Sequence, residues 1–122
     1  MNNKYKRIVS AMLLTALLET TVSTNAFADC KELKSITIPS SVTDIMNGAF
    51  EGCTGLKEII IPNSVKAIGN DTFYGCSSLQ NIIIPKSMTS IGKSAFENCT
   101  NLTSINIPNS VRDIGQNAFF RL

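Results

Sequence analysis

The sequence predicts a solenoid of the α/β type, mostly β, in which four 23-residue repeats stack as coils around a short parallel sheet. The first observation is the spacing of the cysteines, which lie at Cys30, Cys53, Cys76 and Cys99. The second is that other residue types keep the same period, as at Leu33, Leu56, Leu79 and Leu102 and at Phe50, Phe73, Phe96 and Phe119. A fixed period in the twenties indicates identical units that bury their apolar faces against one another.

Each repeat is predicted to begin with a short strand, for which the second repeat, residues 53–75, is representative. Leu56, Ile59 and Ile61 are in phase with every other repeat and are therefore expected to face inward. Pro62 ends the strand, because proline cannot donate the hydrogen bond that a continuing strand would need. A chain that returns to its starting point stacks each strand parallel to the previous one, which predicts a narrow parallel sheet.

The remainder of each repeat is predicted to turn back across the coil. Val65 and Ile68 supply a second apolar edge. Gly69 follows, and we expect it to provide a positive φ at the next corner. Thr72-Phe73 is then expected to begin one helical or 3₁₀ turn, which places the phenylalanine in the core.

The first 28 residues lie outside the predicted repeats and have the pattern of a secretory signal peptide. A basic start at residues 4–7 precedes an apolar run at residues 8–18, and the segment ends in the small-x-small pattern Ala26-Phe27-Ala28. The apolar run is shorter than the ~20 residues that a membrane-spanning helix needs. We therefore predict cleavage after Ala28, a solenoid domain at 29–122 without a membrane span, and a secreted or cell-surface-associated protein.

The predicted domain has a balanced charge once residues 1–28 are removed. Lys4, Lys6 and Arg7 account for three of the 11 basic residues, and Glu19 accounts for one of the nine acidic residues. Eight of each then remain. This balance predicts neither nucleic acid nor an anionic membrane surface as a partner.

The four cysteines are predicted to lie in one column of the core. Cysteines in an exported chain usually suggest disulfides. Equal phase, however, places these thiols on successive rungs about 4.8 Å apart with parallel side chains, a geometry that is unfavourable for a disulfide. The sequence leaves both buried thiols and disulfides open. A zinc site is not expected, because a straight column cannot surround one ion tetrahedrally.

The consensus Leu-x-x-Ile-x-Ile-Pro-x-Ser-Val-x-x-Ile-Gly-x-x-Ala-Phe-x-x-Cys recurs through residues 30–122, for example from Leu79 to Cys99. It resembles the leucine-rich repeat of the BspA-like surface-protein family. That resemblance implies a right-handed leucine-rich-repeat stack, export or surface display, and a binding role, since family members are associated with adhesion to host or matrix proteins. The resemblance carries no catalytic motif onto these positions.

No constellation of catalytic residues is recognisable in the sequence. The chain has no histidine, which removes the commonest general base and the usual nucleophile pairs. Serines that recur in every repeat, such as Ser64 and Ser87, are interpreted as architecture because catalysis needs a unique group. We therefore predict a protein that is not an enzyme and that uses no cofactor or metal.

The outward positions of the predicted strands vary between repeats and form the candidate binding surface, since solenoids use such faces for recognition. Ile60 and Ile83 would lie side by side outside the core with polar neighbours, which is a modest signal of an interaction site. Branched residues also suit exposed strands without any binding role. The candidate partner-binding residues are Thr37, Lys57, Glu58, Ile60, Gln80, Asn81, Ile83 and Asn106.

The predicted function is an exported binding module that holds a protein ligand, with a host or extracellular-matrix protein as the candidate partner. The alternative is a truncated piece of a longer repeat array that has only a structural role. The last repeat stops at residues 119–122 without a polar capping segment, and solenoids normally need one for solubility. The alternative therefore predicts end-to-end self-association.

Overall fold

The coils of the chain form two parallel sheets, to each of which the first three full coils contribute one strand, whereas the last coil contributes a strand to one sheet only. The computed structural model describes residues 20–122. In chain order the strands are β1 (Thr21–Val22), β2 (Ser35–Thr37), β3 (Asp44–Ile45), β4 (Glu58–Ile60), β5 (Ala67–Ile68), β6 (Asn81–Ile82), β7 (Ser90–Ile91) and β8 (Asp113–Ile114). The first sheet has the order β2-β4-β6 and the second β1-β3-β5-β7-β8. The predicted fold class, a mostly β parallel solenoid of about four 23-residue turns, is confirmed.

The register of both sheets follows the 23-residue period. In the first sheet Ile36 is paired with Ile59, which is paired in turn with Ile82. In the second sheet Ile45 is paired with Ile68. Because successive side chains of a strand point to opposite faces, this register places equivalent side chains directly above one another. The core is therefore a set of columns in which like residues stack on like.

Phenylalanines form a column of the core that is fully buried in its middle and partly buried at Phe119. Phe50, Phe73 and Phe96 are all 0% exposed. Neighbouring rings in the column are nearly parallel, and their centroids are between 5.3 and 5.6 Å apart. Such stacked pairs contribute roughly 0.5–1.5 kcal/mol beyond the area that they bury. The column runs from Phe27 to Phe119 and links every coil to the next.

The cysteines lie beside this column as buried thiols. Of the two states that the sequence left open, buried thiol and disulfide, the structure therefore has the thiol. Each of three thiols donates a hydrogen bond to a phenylalanine carbonyl of the preceding coil. Burial raises the pKa of the Cys76 thiol strongly and that of the Cys99 thiol to about 12, which keeps both neutral. The Sγ–O distances are 3.0 Å for Cys53–Phe27, 3.1 Å for Cys76–Phe50 and 3.1 Å for Cys99–Phe73.

The predicted positive φ at Gly69 is wrong, because the left-handed corner residues lie elsewhere in the repeat. Two columns have a positive φ, at Asn25, Gly48, Asp71, Ser94 and Asn117 and at Asp29, Gly52, Gly75, Asn98 and Arg121. The recurrent glycine instead allows close approach of two coils. A Cβ atom on Gly92 would lie 2.4 Å from the carbonyl carbon of Gly69, a distance that no side chain can accept.

The predicted helical or 3₁₀ turn at Thr72-Phe73 is also wrong, and the hydrogen bonds give the reason. In a helix every interior N–H bonds within its own segment. Here the N–H groups alternate between the local turn and the next coil, which breaks any helical series. Tyr74 N and Cys76 N donate to Asp71 O and Phe73 O, whereas Phe73 N and Gly75 N donate to Ala95 O and Glu97 O.

The coil stack already includes residues 20–28, which precede the predicted domain boundary at residue 29. Val22 in β1 is paired with Ile45 in β3, and Val22 and Phe27 are 1% and 3% exposed. The repeat pattern is weak here because Ser10 and Ala16 stand where the consensus has its leucine and proline. The predicted signal segment at residues 1–19 lies outside the described residues, and cleavage after Ala28 stays a prediction.

The last described coil has fewer paired strands than the coils before it. Its second-sheet strand β8 pairs with β7, but residues 104–106 form no strand next to β6. Ile107 and Ile114 are 36% and 50% exposed, whereas their equivalents in the preceding coil, Ile84 and Ile91, are 6% and 2% exposed. The difference arises because no described coil stacks on their outer side.

Candidate functional site

The first sheet presents the candidate surface, which we call the strand face and define as the eight predicted partner-binding residues. The alternation of side chains in the strands builds it. Ile36, Ile59 and Ile82 point inward and are at most 9% exposed, so the residues on either side of each must point outward. All eight residues of the strand face are exposed: Thr37, Lys57, Glu58, Ile60, Gln80, Asn81, Ile83 and Asn106.

Two isoleucines dominate the apolar part of the strand face. Ile60 is 61% exposed and Ile83 is 81% exposed, the largest exposed fractions among the large apolar residues of the described chain. The register places Thr37 opposite Ile60, so a polar residue borders the pair on the side of the first coil. Ile83 directly follows β6 and is therefore the equivalent residue of the next coil. Exposed apolar groups with a polar border are typical of interaction sites.

The charged part of the strand face lies at the start of the same strands. Backbone hydrogen bonds fix its spacing, because Lys57 N donates to Lys34 O at 2.8 Å and Gln80 N donates to Lys57 O at 3.1 Å. Glu58 follows Lys57 and is paired in register with Asn81. This part therefore places one acidic and one basic side chain, Glu58 and Lys57, beside the isoleucines on a backbone of fixed spacing.

The structure brings most of the predicted residues together but not all of them equally. Seven residues lie in, or directly beside, strands that are paired in the first sheet. Asn106 belongs to the last coil, where residues 104–106 form no strand, and it is held less firmly. Lys34 was not in the predicted set but is exposed in the same column as Lys57. The sequence signal for Lys34 is its spacing of 23 residues from Lys57, which places both lysines in one column.

Acidic residues near one corner do not form a metal site. Burial raises the pKa of Glu51, and the nearby Asp71 and Asp29 raise it further. Among residues 20–122 no group of three or more His, Cys, Asp or Glu side chains is placed to hold a metal ion. Within the same residues no helix is long and apolar enough to cross a membrane.

A shallow groove lies on the turn side of the last coil. It is lined by Ile107, Pro108, Asn109 and Ser110, together with Lys86 of the preceding coil. The Ser110 hydroxyl and its equivalent at Ser64 are buried without a hydrogen-bond partner, whereas the Ser87 hydroxyl donates to Val65 O of the preceding coil. The serine at this position therefore links two coils by a side-chain hydrogen bond at Ser87, whereas the Ser64 and Ser110 hydroxyls make no such bond. The groove contains no acid–base pair.

Comparison with known proteins agrees with this geometry. Residues 20–122 match the family model described as "BspA type Leucine rich repeat region (6 copies)". Among solved structures, a leucine-rich repeat protein from T. pallidum is 39% identical over 86% of this chain, with a TM-score of 0.83. One from Bacteroides ovatus is 43% identical over 82% of this chain, with a TM-score of 0.78. No curated protein sequence matches significantly.

A third similar structure bears on where such proteins are found. A protein from Faecalibacterium prausnitzii, described as a leucine rich cell surface protein, is 31% identical over 84% of this chain, with a TM-score of 0.70. The matched region covers 34% of that protein, 49% of the T. pallidum protein and 26% of the B. ovatus protein. This chain therefore spans half or less of the length of these relatives.

Proposed function

This chain belongs to the BspA-type leucine-rich repeat family, and from that membership we propose that it is a binding module that holds a protein partner on the strand face. The observation that carries the proposal is the exposure of Ile60 and Ile83 at 61% and 81% on an otherwise polar surface. Burial of exposed apolar surface is the dominant favourable contribution in most protein–protein association.

The form of the sheet also supports binding. The strand face is built on paired strands whose inward side chains are packed in the core, so its side chains are held at fixed spacings. A rigid, pre-arranged surface loses little conformational entropy when it binds, which favours affinity. Lys57 and Glu58 beside the isoleucines add polar groups of both signs, which give specificity more than affinity.

We further propose that the protein is exported and acts outside the cytoplasm, with a host or extracellular-matrix protein as its ligand. The pattern of residues 1–28 supports export. The resemblance to a protein described as a cell surface protein supports the same location. The ionisable side chains of the strand face, Lys57 and Glu58, do not form a recognisable catalytic arrangement. The proposed role is therefore binding alone.

The test replaces both isoleucines by aspartate in the full chain, as I60D/I83D, and measures binding to immobilised extracellular-matrix proteins by surface plasmon resonance. We expect affinity to fall at least about tenfold, because two charged groups would be desolvated in the contact. The matched control is Met46→Asp. Met46 is also apolar and 41% exposed, but it follows β3 in the other sheet.

The result that contradicts the proposal is unchanged affinity of I60D/I83D with the native circular dichroism spectrum retained. An equal loss of affinity in Met46→Asp would contradict it as well, because the effect would then be a general consequence of added negative charge.

A second candidate role is structural, and the last coil favours it. Ile107 and Ile114 belong to core columns but are 36% and 50% exposed, and Phe120 is 49% exposed. We propose that this end stacks against a second copy of the chain. Light scattering at increasing concentration should then show association that Ile107→Asp weakens. A mass that stays monomeric at every concentration would rule this role out without affecting the strand-face proposal.

A further inference from the structure

We propose that residues 20–29 remain in the folded, exported protein as half a coil that closes the N-terminal end of the solenoid, so that the chain is not cut after Ala28. This segment was predicted to leave with the signal peptide. Its packing indicates that it belongs to the domain.

Backbone hydrogen bonds join the half coil to the first full coil along its whole length. They run in both directions, as they do between neighbouring full coils. Asn25 N, Phe27 N and Asp29 N donate to Asn47 O, Ala49 O and Glu51 O at 3.0, 2.7 and 2.7 Å, and Thr43 N and Met46 N donate to Thr20 O and Val22 O at 2.7 and 2.9 Å.

Side-chain packing is equally close to that between full coils. The Phe27 and Phe50 rings are stacked with centroids 5.3 Å apart and planes 6° apart, compared with 5.5 Å and 3° for Phe50 and Phe73. The Cys53 thiol donates to Phe27 O at 3.0 Å, whereas the equivalent bond between Cys76 and Phe50 measures 3.1 Å. The half coil therefore makes the same phenylalanine and cysteine contacts as the corresponding half of a complete repeat.

The small-x-small pattern has a second explanation in the repeat itself. Ala26-Phe27 is followed by two residues and Cys30, which is the Ala-Phe-x-x-Cys segment of the consensus. The equivalent segment of the third coil begins at Ala95 and ends at Cys99, the first residue of the fourth. The fold thus accounts for a small residue at the first position, since Ala49, Thr72 and Ala95 are 0% exposed there. The pattern around Ala28 is accounted for without a cleavage site.

A cut after Ala28 would remove groups that the first full coil needs. Phe50 and Ile45 are 0% and 1% exposed because Phe27 and Val22 cover them. The Cys53 thiol would lose its acceptor, and the edge of β3 would be left without a partner. Uncovered apolar side chains and an open strand edge both favour aggregation, and a buried donor without an acceptor is destabilising.

The first experiment expresses the full chain in a bacterium, recovers it from outside the cytoplasm and determines its N-terminus by mass spectrometry. The expected result is a mature protein that still contains residues 20–28. A mature protein that begins at Asp29 would overturn the proposal.

The second experiment compares Phe27→Ala with Ser23→Ala in the full chain, because Ser23 is exposed in the same half coil. We expect Phe27→Ala to lower Tm by roughly 10 °C or more, as for a buried phenylalanine, and to speed hydrogen exchange at the Thr43 and Met46 amides, which donate to the half coil. Ser23→Ala should change neither quantity. Equal Tm values for the two variants would overturn the proposal, and this readout is independent of any binding activity.

Discussion

The interior columns and the strand face are made by the same strands, yet they follow opposite rules. In β4 the neighbouring residues Ile59 and Ile60 are 4% and 61% exposed. Ile59 is repeated as isoleucine in the coils before and after it, at Ile36 and Ile82, because each side chain packs against its copies. The position of Ile60 is threonine in the first coil. A residue type that repeats in every coil therefore indicates packing in the core. A position at which the residue type changes is one where function can be specified.

The first prediction tests this comparison where the expected effect is largest. Ile59→Ala should lower the free energy of unfolding by about 3 kcal/mol, because it leaves a cavity between stacked coils. Ile60→Ala removes the same atoms from an exposed position and should change the free energy of unfolding by less than about 0.5 kcal/mol. Urea denaturation of the two variants measures the difference. Similar losses in both would mean that inward and outward positions are not energetically distinct.

The second prediction extends the comparison to the corners, where two glycines are needed for different reasons. Gly92→Ala should cost about 2–3 kcal/mol, since its Cβ would lie 2.4 Å from backbone atoms of Gly69. Gly75 has a φ of +72° and open space around it, so Gly75→Ala should cost only about 1 kcal/mol of backbone strain. Thermal unfolding distinguishes them, and a larger loss in Gly75→Ala would contradict the close-approach explanation.

The third prediction concerns pH and has the smallest expected effect. Burial raises the pKa of Cys99 from 9.0 to about 12, so the native state keeps a proton that the unfolded state releases. Stability from this group is complete below pH 9 and is lost as pH rises towards 12, by about 1.4 kcal/mol per pH unit. Urea denaturation at pH 8 and pH 10 should therefore show a smaller decrease for Cys99→Ala than for the wild type. An identical decrease would indicate that the thiol is not buried in the folded protein.

Several features of the fold could be predicted because they depend only on period and residue type. The repeat length, the parallel strands, the inward positions and the single column of cysteines follow from equal spacing. The corners could not be predicted in the same way. Gly69 and Asp71 are two residues apart, and only the approach of the neighbouring coil decides which of them has the positive φ and which one needs to be small.

The half coil at the N-terminus shows a second limit of the sequence. Ala26-Phe27-Ala28 fits both the end of a signal peptide and the Ala-Phe-x-x-Cys segment of a repeat, because a small residue before the phenylalanine satisfies both patterns. The sequence gives no way to choose where other residues replace the leucine and proline of the consensus. Stacking of Phe27 on Phe50 at 5.3 Å favours the repeat, since it depends on a contact between residues of different coils.

The sequence by itself determined the solenoid, its period, its inward columns and the outward position of the strand face, because each coil meets only near copies of itself. Tertiary structure decided the state of the thiols, the identity of the left-handed corners, the absence of a helical turn in residues 20–122 and the inclusion of residues 20–28 in the stack. These features depend on which backbone groups of one coil reach the next. That choice is made by contact between coils, which the residues of a single repeat do not specify.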